Sequence, residues 1–383
     1  MMQINFTKKR SAAWSACLAQ PLFGAAIALF AVAGTSGLAQ VETKVPAVIA
    51  NAKPVTVEHI KIHGKSLEGN LEGDAVDRDV IVFLPPGYST DKDRRYPVVY
   101  GLHGFFIGAA QWTGEIHVPQ TVEGAFAQGS NEMIVVLPDS KTIYNGSMYS
   151  SSATTGDFEN FIAHDLVAYI DAHYRTIPDR NSRGLVGHSM GGYGASRIGM
   201  KHADVFGALY IMSPCCMSPM GGGAPGNQAS ERSAAMARQM EKSIAGVKSP
   251  AEAAALPGAS TQLAIAAAWA PNPKNPPLYL DMPTKDGVAQ PDISAKMAAN
   301  SPLAFVDQYI GNLKQYRAIA MDVGDQDGLR LDAIKLHTIL DNYGIQNSFE
   351  VYPGTHTSAV ADRFQNHVMP FFSKNLRFTA PNQ

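Results

Sequence analysis

The chain has 383 residues, with 31 Lys and Arg against 33 Asp and Glu and 45% apolar side chains. That is enough chain for a large buried core. The balanced, faintly acidic charge argues against nucleic acid or an anionic membrane as the main partner.

The first segment reads as a targeting signal. Thr7 to Arg10 supply positive charge, Leu22 to Gly34 form an apolar core, and Ser36 to Ala39 end in the small residues a signal peptidase recognises. The alternative is a membrane anchor, but the apolar core is shorter than the ~20 residues a spanning helix needs. Cleavage after Ala39 is the expectation. It removes Lys8, Lys9, Arg10 and no acid, leaving 28 basic groups against 33 acidic ones. Cys17 leaves with it, so the secreted chain keeps only the neighbours Cys215 and Cys216. Two cysteines cannot staple a fold of this size. A bridge between adjacent residues is strained, so buried free thiols are expected.

Residues 40–54 read as a linker. Val55–Gly64 and Asp77–Tyr88 alternate with period two and form an expected antiparallel pair. Tyr96–Gly104 and Glu132–Ser140 are short continuous apolar runs, the pattern of buried parallel strands. Asp157–Tyr174 has helical spacing, with Asp157 as N-cap and Phe158, Phe161, Ile162, Leu166, Ile170 and His173 on one face. The strand "RGLVG" then leads into "HSMGGYGAS", a helix to about His202, and a strand over Phe206–Ser213. Alternation of this kind means a mostly parallel sheet with helices on both faces.

From about residue 214 to 301 the rhythm changes to Ala, Met and Pro with short helices. This reads as an insertion forming a lid. Met236, Met240 and Ile244 make a stripe whose plain reading is core packing, Gly246 is an expected C-cap, and Ser249–Glu252 has capping-box spacing. Strands over Gln315–Gly324 and Asn347–Gly354 flank a helix over Leu329–Gly344. A last helix over Ala361–Leu376 is expected to bend near Pro370. Residues 377–383 form a tail.

Gly187-His188-Ser189-Met190-Gly191 fits G-x-S-x-G between a strand and a helix, the setting of a nucleophile elbow. Glycines leave room for a strained turn that lifts the serine hydroxyl clear of the backbone. The dinucleotide G-x-G-x-x-G and P-loop G-K-[ST] patterns are absent from this turn. A serine needs a base, and the base an orienting acid, here in the chain order Ser, acid, His. His356 follows a strand end, whereas His337 and His367 lie in expected helices and His188 in the elbow itself. Asp322 lies at a strand end and is expected to face the sheet. Asp325 and Asp327 lie in the loop, and Asp327 has the better reach to His356. An oxyanion hole needs two backbone donors: Met190 supplies one, and Phe105, in the turn His103-Gly104-Phe105, the other. Phe106, Trp112, Tyr144, Tyr149 and Trp269 are aromatics in segments that could line a substrate pocket. No Cys/His spacing suits a metal, and no cofactor is expected.

With these residues in order, the chain resembles the putative-esterase family of α/β-hydrolases, which includes feruloyl and acetylxylan esterases, S-formylglutathione hydrolases and mycolyltransferases. The resemblance runs from about Val55 to Leu376 and rests on "YPVVYGLHG", "DFENFIAHDLVAYIDAHYRT", "GLVGHSMGGYGA", "VGDQDGL" and "YPGTH". It implies an α/β-hydrolase fold and a serine esterase with nucleophile Ser189, acid Asp327 and base His356. The long insertion departs from compact members. The expected substrates are aryl, hydroxycinnamoyl or acylated-carbohydrate esters met outside the cytoplasm. Acyl transfer to a sugar or lipid hydroxyl is the alternative for the same triad, and a non-catalytic binding protein on this scaffold is the third reading.

Overall fold

The computed structural model describes residues 42–218 and 228–379. The expected signal segment, the ends of the linker and tail, and part of the insertion lie outside the described residues.

Eight strands form one sheet: β1 Thr56–His63, β2 Asp77–Leu84, β3 Val98–Leu102, β4 Ile134–Pro138, β5 Arg183–His188, β6 Ala208–Met212, β7 Ala318–Gly324 and β8 Ser348–Tyr352. Their order is β1-β2-β4-β3-β5-β6-β7-β8. β1 with β2 and β2 with β4 are antiparallel, and all later pairs are parallel. The central strands are buried on both faces, which is why they read as continuous apolar runs.

Alternate residues of the strands feed two clusters on opposite faces. On one face Val80, Val82, Tyr100, Leu102 and Leu185 meet the helical run Phe158–His173 and the helix α2, Met190–Lys201. On the other, Ile81, Phe83, Val99 and Val186 meet the helix α1, Val118–Ala127, and the C-terminal helical run Val360–Asn375. Asp157 caps its helix as expected, accepting from the amide of Asn160 at 2.9 Å. His173 departs from the expected apolar face: it is exposed and stacks on Tyr169. The C-terminal run stays continuous through Pro370. Its turns widen over Phe364–Val368, just where a residue without an N–H would leave a carbonyl unpaired.

The insertion is built into the first core rather than laid over it. Its helices include α3 Gln228–Ile244, α4 Ser260–Trp269 and α5 Pro291–Ala299. Leu263 to Ala270, Leu278, Leu280 and Met297 belong to the same buried cluster as α2. The Ala267 carbonyl accepts from Ser152 Oγ at 2.5 Å, and the Asn300 carbonyl from the Tyr193 hydroxyl at 2.8 Å. In the stripe, Met240 and Ile244 pack on the core while Met236 is half exposed. Gly246 does not adopt a left-handed C-cap. Ser249 caps the short helix Pro250–Ala254 through the amide of Glu252, and Glu252 reaches back to the amide of Lys248.

Trp112 is fully buried on the face away from α2, edge-on to Phe364 at 6.2 Å between ring centres. That corrects its expected place in a substrate pocket: its ring fills the core between the sheet and the C-terminal run. Trp112→Ala is therefore expected to cost about 3–5 kcal/mol in urea unfolding while leaving KM for ester substrates unchanged in the folded enzyme.

Candidate active site

β5 ends at His188, and Ser189 follows with φ 59° and ψ −115° before α2 begins at Met190. A non-glycine residue rarely holds this conformation. Its main chain is secured on both sides: the Ser189 amide donates to the Met212 carbonyl at 3.1 Å, and its carbonyl accepts from the amides of Tyr193 and Cys215 at 3.0 and 3.1 Å. The turn is tight enough that a Cβ on Gly187 would strike the main chain of Gly191, and one on Gly191 would strike the carbonyl of Leu102. Glycine at these two positions is what lets the helix start so close to the sheet.

The Ser189 side chain lies 2.9 Å from His356 Nε2, and His356 Nδ1 lies 2.8 Å from Asp327 Oδ2. His356 comes from the loop after β8, Asp327 from the loop after β7. The Asp327 side chain is 2% exposed, while that of His356 is 34% exposed. Burial alone would raise the Asp327 pKa. The hydrogen bond and charge of His356, with the Leu329 amide on Oδ1 at 2.8 Å, outweigh it and hold the carboxyl below its ordinary value.

The two neighbouring acids do other work. Asp325 accepts from the Gly354 amide at 2.9 Å and so ties the acid loop to the histidine loop. Asp322 is buried in the sheet, as its strand-end place suggests, and takes Arg363 Nε at 2.8 Å and the Tyr210 hydroxyl at 2.8 Å. His337 and His367 are engaged elsewhere, with Asn347 and with Arg363.

Phe105 and Met190 meet beside Ser189. A Cβ on Gly146 would touch both the Phe105 ring and Met190 Sδ, and one on Gly104 would stand 3.4 Å from the Ser189 Cβ. Among the described residues no hydrogen bond uses the amide of Phe105 or of Met190. Two free donors near one hydroxyl suit a developing oxyanion. A histidine braces this turn. His103, fully buried, donates from Nδ1 to the Gly104 carbonyl and accepts the Ser140 amide on Nε2, each at 2.8 Å. "HG" after a strand is too common a pair to announce that brace.

Of the remaining aromatics only Phe106 is open, at 42% exposure, edge-on to Phe105 at 4.6 Å. Tyr144 and Tyr149 are fully buried and Trp269 is 2% exposed, which corrects their expected contact with substrate. Tyr149 donates to the His103 carbonyl, and Trp269 Nε1 to Ser150 Oγ. Tyr144 belongs to the first core cluster. Cys215 and Cys216 are free, half-buried thiols in contact at 2.8 Å. Among the described residues no group of three or more His, Cys, Asp and Glu side chains is placed to hold a metal, and no helix is long and apolar enough to cross a membrane.

The family described as "Putative esterase" matches residues 75–369. The chain belongs to that family. Among curated proteins, this esterase-family chain is similar to an endo-1,4-beta-xylanase/feruloyl esterase of Xylanibacter ruminicola, at 29% identity over 138 residues, 34% of this chain and 19% of that protein. It is also similar to an esterase of Mycobacterium tuberculosis, at 28% identity over 138 residues, 33% of this chain and 27% of that protein. The matched segments thus span 19% and 27% of these relatives' lengths. Among solved structures, a ferulic acid esterase superposes with TM-score 0.59 at 23% identity, covering 85% of this chain and 99% of the other. A fluorophosphonate-binding serine hydrolase of Staphylococcus aureus follows at 0.54 and 14%, covering 84% and 98%. The fold is that of the α/β-hydrolases.

Asp327→Asn is expected to lower kcat by about 10⁴-fold, because the amide no longer selects the productive tautomer of His356. The carboxyl sits below its ordinary value in the folded chain. The stability it contributes over Asn is therefore full above ~3.9 and fades as pH falls through the lower folded value. Urea unfolding of both proteins across acid pH checks the sign.

Proposed function

We propose that the protein is a secreted serine carboxylic-ester hydrolase acting through an acyl-enzyme. The observation that carries this reading is the unbroken relay from Ser189 through His356 to the buried carboxylate of Asp327.

His356 Nε2 takes the proton of Ser189 Oγ as that oxygen attacks the ester carbonyl. Asp327 holds Nδ1–H, fixing the tautomer and stabilising the imidazolium that forms. The amides of Phe105 and Met190 receive the negative charge on the former carbonyl oxygen. When the intermediate collapses, His356 returns the proton to the leaving alcohol. A water then gives its proton to His356 as it attacks the acyl carbonyl, and as the bond to Ser189 breaks His356 passes that proton to Ser189 Oγ, releasing the acid.

Phe106 supports an aromatic acyl group. It is the one exposed aromatic among those weighed, and it adjoins the Phe105 amide, so an aryl ring could pack on it while the ester sits on the two donors. Hydroxycinnamoyl and other aryl esters, with a carbohydrate as the alcohol, fit this arrangement. One solved relative, a ferulic acid esterase from Anaeromyces mucronatus with TM-score 0.50, has been seen with ferulic acid bound.

Assays of p-nitrophenyl, feruloyl and sugar-acetate esters test the reading. Ser189→Ala should lose at least about a thousandfold in kcat on every substrate accepted. Phe106→Ala should raise KM about three- to tenfold for feruloyl esters and leave sugar acetates unaffected. Wild-type hydrolysis by folded Ser189→Ala would remove the mechanism, and equal effects of Phe106→Ala on both esters would remove the aryl preference. For export, N-terminal sequencing of the protein recovered outside the cytoplasm should begin at Gln40; an intact Met1 would contradict cleavage.

A further inference from the structure

His188 stands immediately before the nucleophile, yet its side chain turns away from the relay. The residue is 3% exposed, and its Nε2 lies 2.8 Å from the main-chain carbonyl oxygen of His356. A carbonyl can only accept, so Nε2 carries the hydrogen. Nδ1 is buried without a partner and holds the lone pair of a neutral ring. Burial, helped by the nearby His356, pushes this imidazole down to about 3.

The His356 loop has several ties, but few of them reach His356 itself. The Thr355 amide donates to Ser358 Oγ at 2.9 Å, the Gly354 carbonyl accepts from Gln326, and the Ser358 carbonyl accepts from Lys44. Among the described residues, the bond from His188 is the sole hydrogen bond to the main chain of His356. On its N-terminal side the loop packs on β7, where a Cβ on Gly324 would meet the carbonyls of Gly354 and Thr355, while the His356 side chain is one-third exposed and its own carbonyl is held by His188. We propose that His188 is the positioning residue for the general base. Its Nε2–H clamps the carbonyl of His356 and so fixes the backbone from which that imidazole reaches Ser189. The proposal rests on the triad reading above.

The clamp joins the two partners that must stay in register. His188 shares a peptide bond with Ser189, so the nucleophile and the base are tied to one rigid strand end. Neutrality matters as well. The two imidazole rings lie 4.8 Å apart, and His356 becomes a cation during each proton transfer. A charged donor at His188 would oppose that cation; a neutral one does not.

Side-chain length gives the test. Gln carries its amide nitrogen as many bonds from Cα as histidine carries Nε2, whereas Asn places its own where Nδ1 stands, short of the His356 carbonyl. His188→Ala, His188→Asn and His188→Gln are assayed on one p-nitrophenyl ester, with Ser189→Ala alongside and with melting temperature and fluorophosphonate labelling rate recorded. His188→Ala and His188→Asn should lose about ten- to a hundredfold in kcat with KM unchanged, as a displaced base implies. Labelling should slow in parallel, and His188→Gln should recover most of the rate. Wild-type kcat in folded His188→Ala overturns the clamp, as does equal impairment of the Gln and Asn variants, which would show a packing role. If His188→Ala does not fold, the Gln and Asn pair decides alone. An active Ser189→Ala would instead overturn the triad reading; an inactive one beside an unimpaired His188→Ala leaves that reading standing and removes only the clamp.

Discussion

Everything at the site follows from one close approach: α2 starts within contact distance of the ends of β3 and β5. Because Gly187 and Gly191 lack side chains, the helix can begin directly at the sheet, and Ser189 is left with φ 59°. The strain is local and is held by three main-chain hydrogen bonds to Met212, Tyr193 and Cys215. The same approach sets Met190 against the turn of Gly104 and Phe105, and neither the Met190 nor the Phe105 amide has a partner among the described residues. The strained serine and the unpartnered amides beside it thus trace to a single packing constraint, and the parallel order of β5, β6, β7 and β8 carries the loops of Asp327 and His356 to the same end of the sheet.

The contacts that join Ser189, His356 and Asp327 were legible because each residue stands at a topologically forced place. A serine in a glycine turn, an acid after one later strand and a histidine after the next can be found from strand patterning alone. The choice among Asp322, Asp325 and Asp327 was also readable, since a strand-end carboxylate faces inward and only the later loop position reaches His356. Aromatics were a different matter. Trp112, Tyr144, Tyr149 and Trp269 sit in segments near the site, and proximity in the chain does not say which side of a loop a ring occupies. Each had enough apolar partners to be buried, and only Phe106 did not.

His103 and His188 escaped sequence reading for a related reason. Both act through a ring nitrogen on a main-chain group far away in sequence: His103 on Ser140, His188 on His356. Main-chain partners leave no side-chain signature. A histidine beside an elbow serine then reads only as a rival base, when its buried ring is a neutral donor.

The insertion's place in the core has a consequence for how substrate range can change. Leu263 to Ala270 share one buried cluster with α2, and Asn300 is bonded to Tyr193 and Arg197 of that helix. Such a segment is not a detachable module. Exchanging it wholesale between relatives would open the core beneath α2, with a stability loss of the kind that follows deletion of buried side chains. Changes at exposed positions such as Phe106 leave that core intact, whereas recombination of the segment does not. In that sense the helix after Ser189 and the segment over 214–301 form one unit of inheritance.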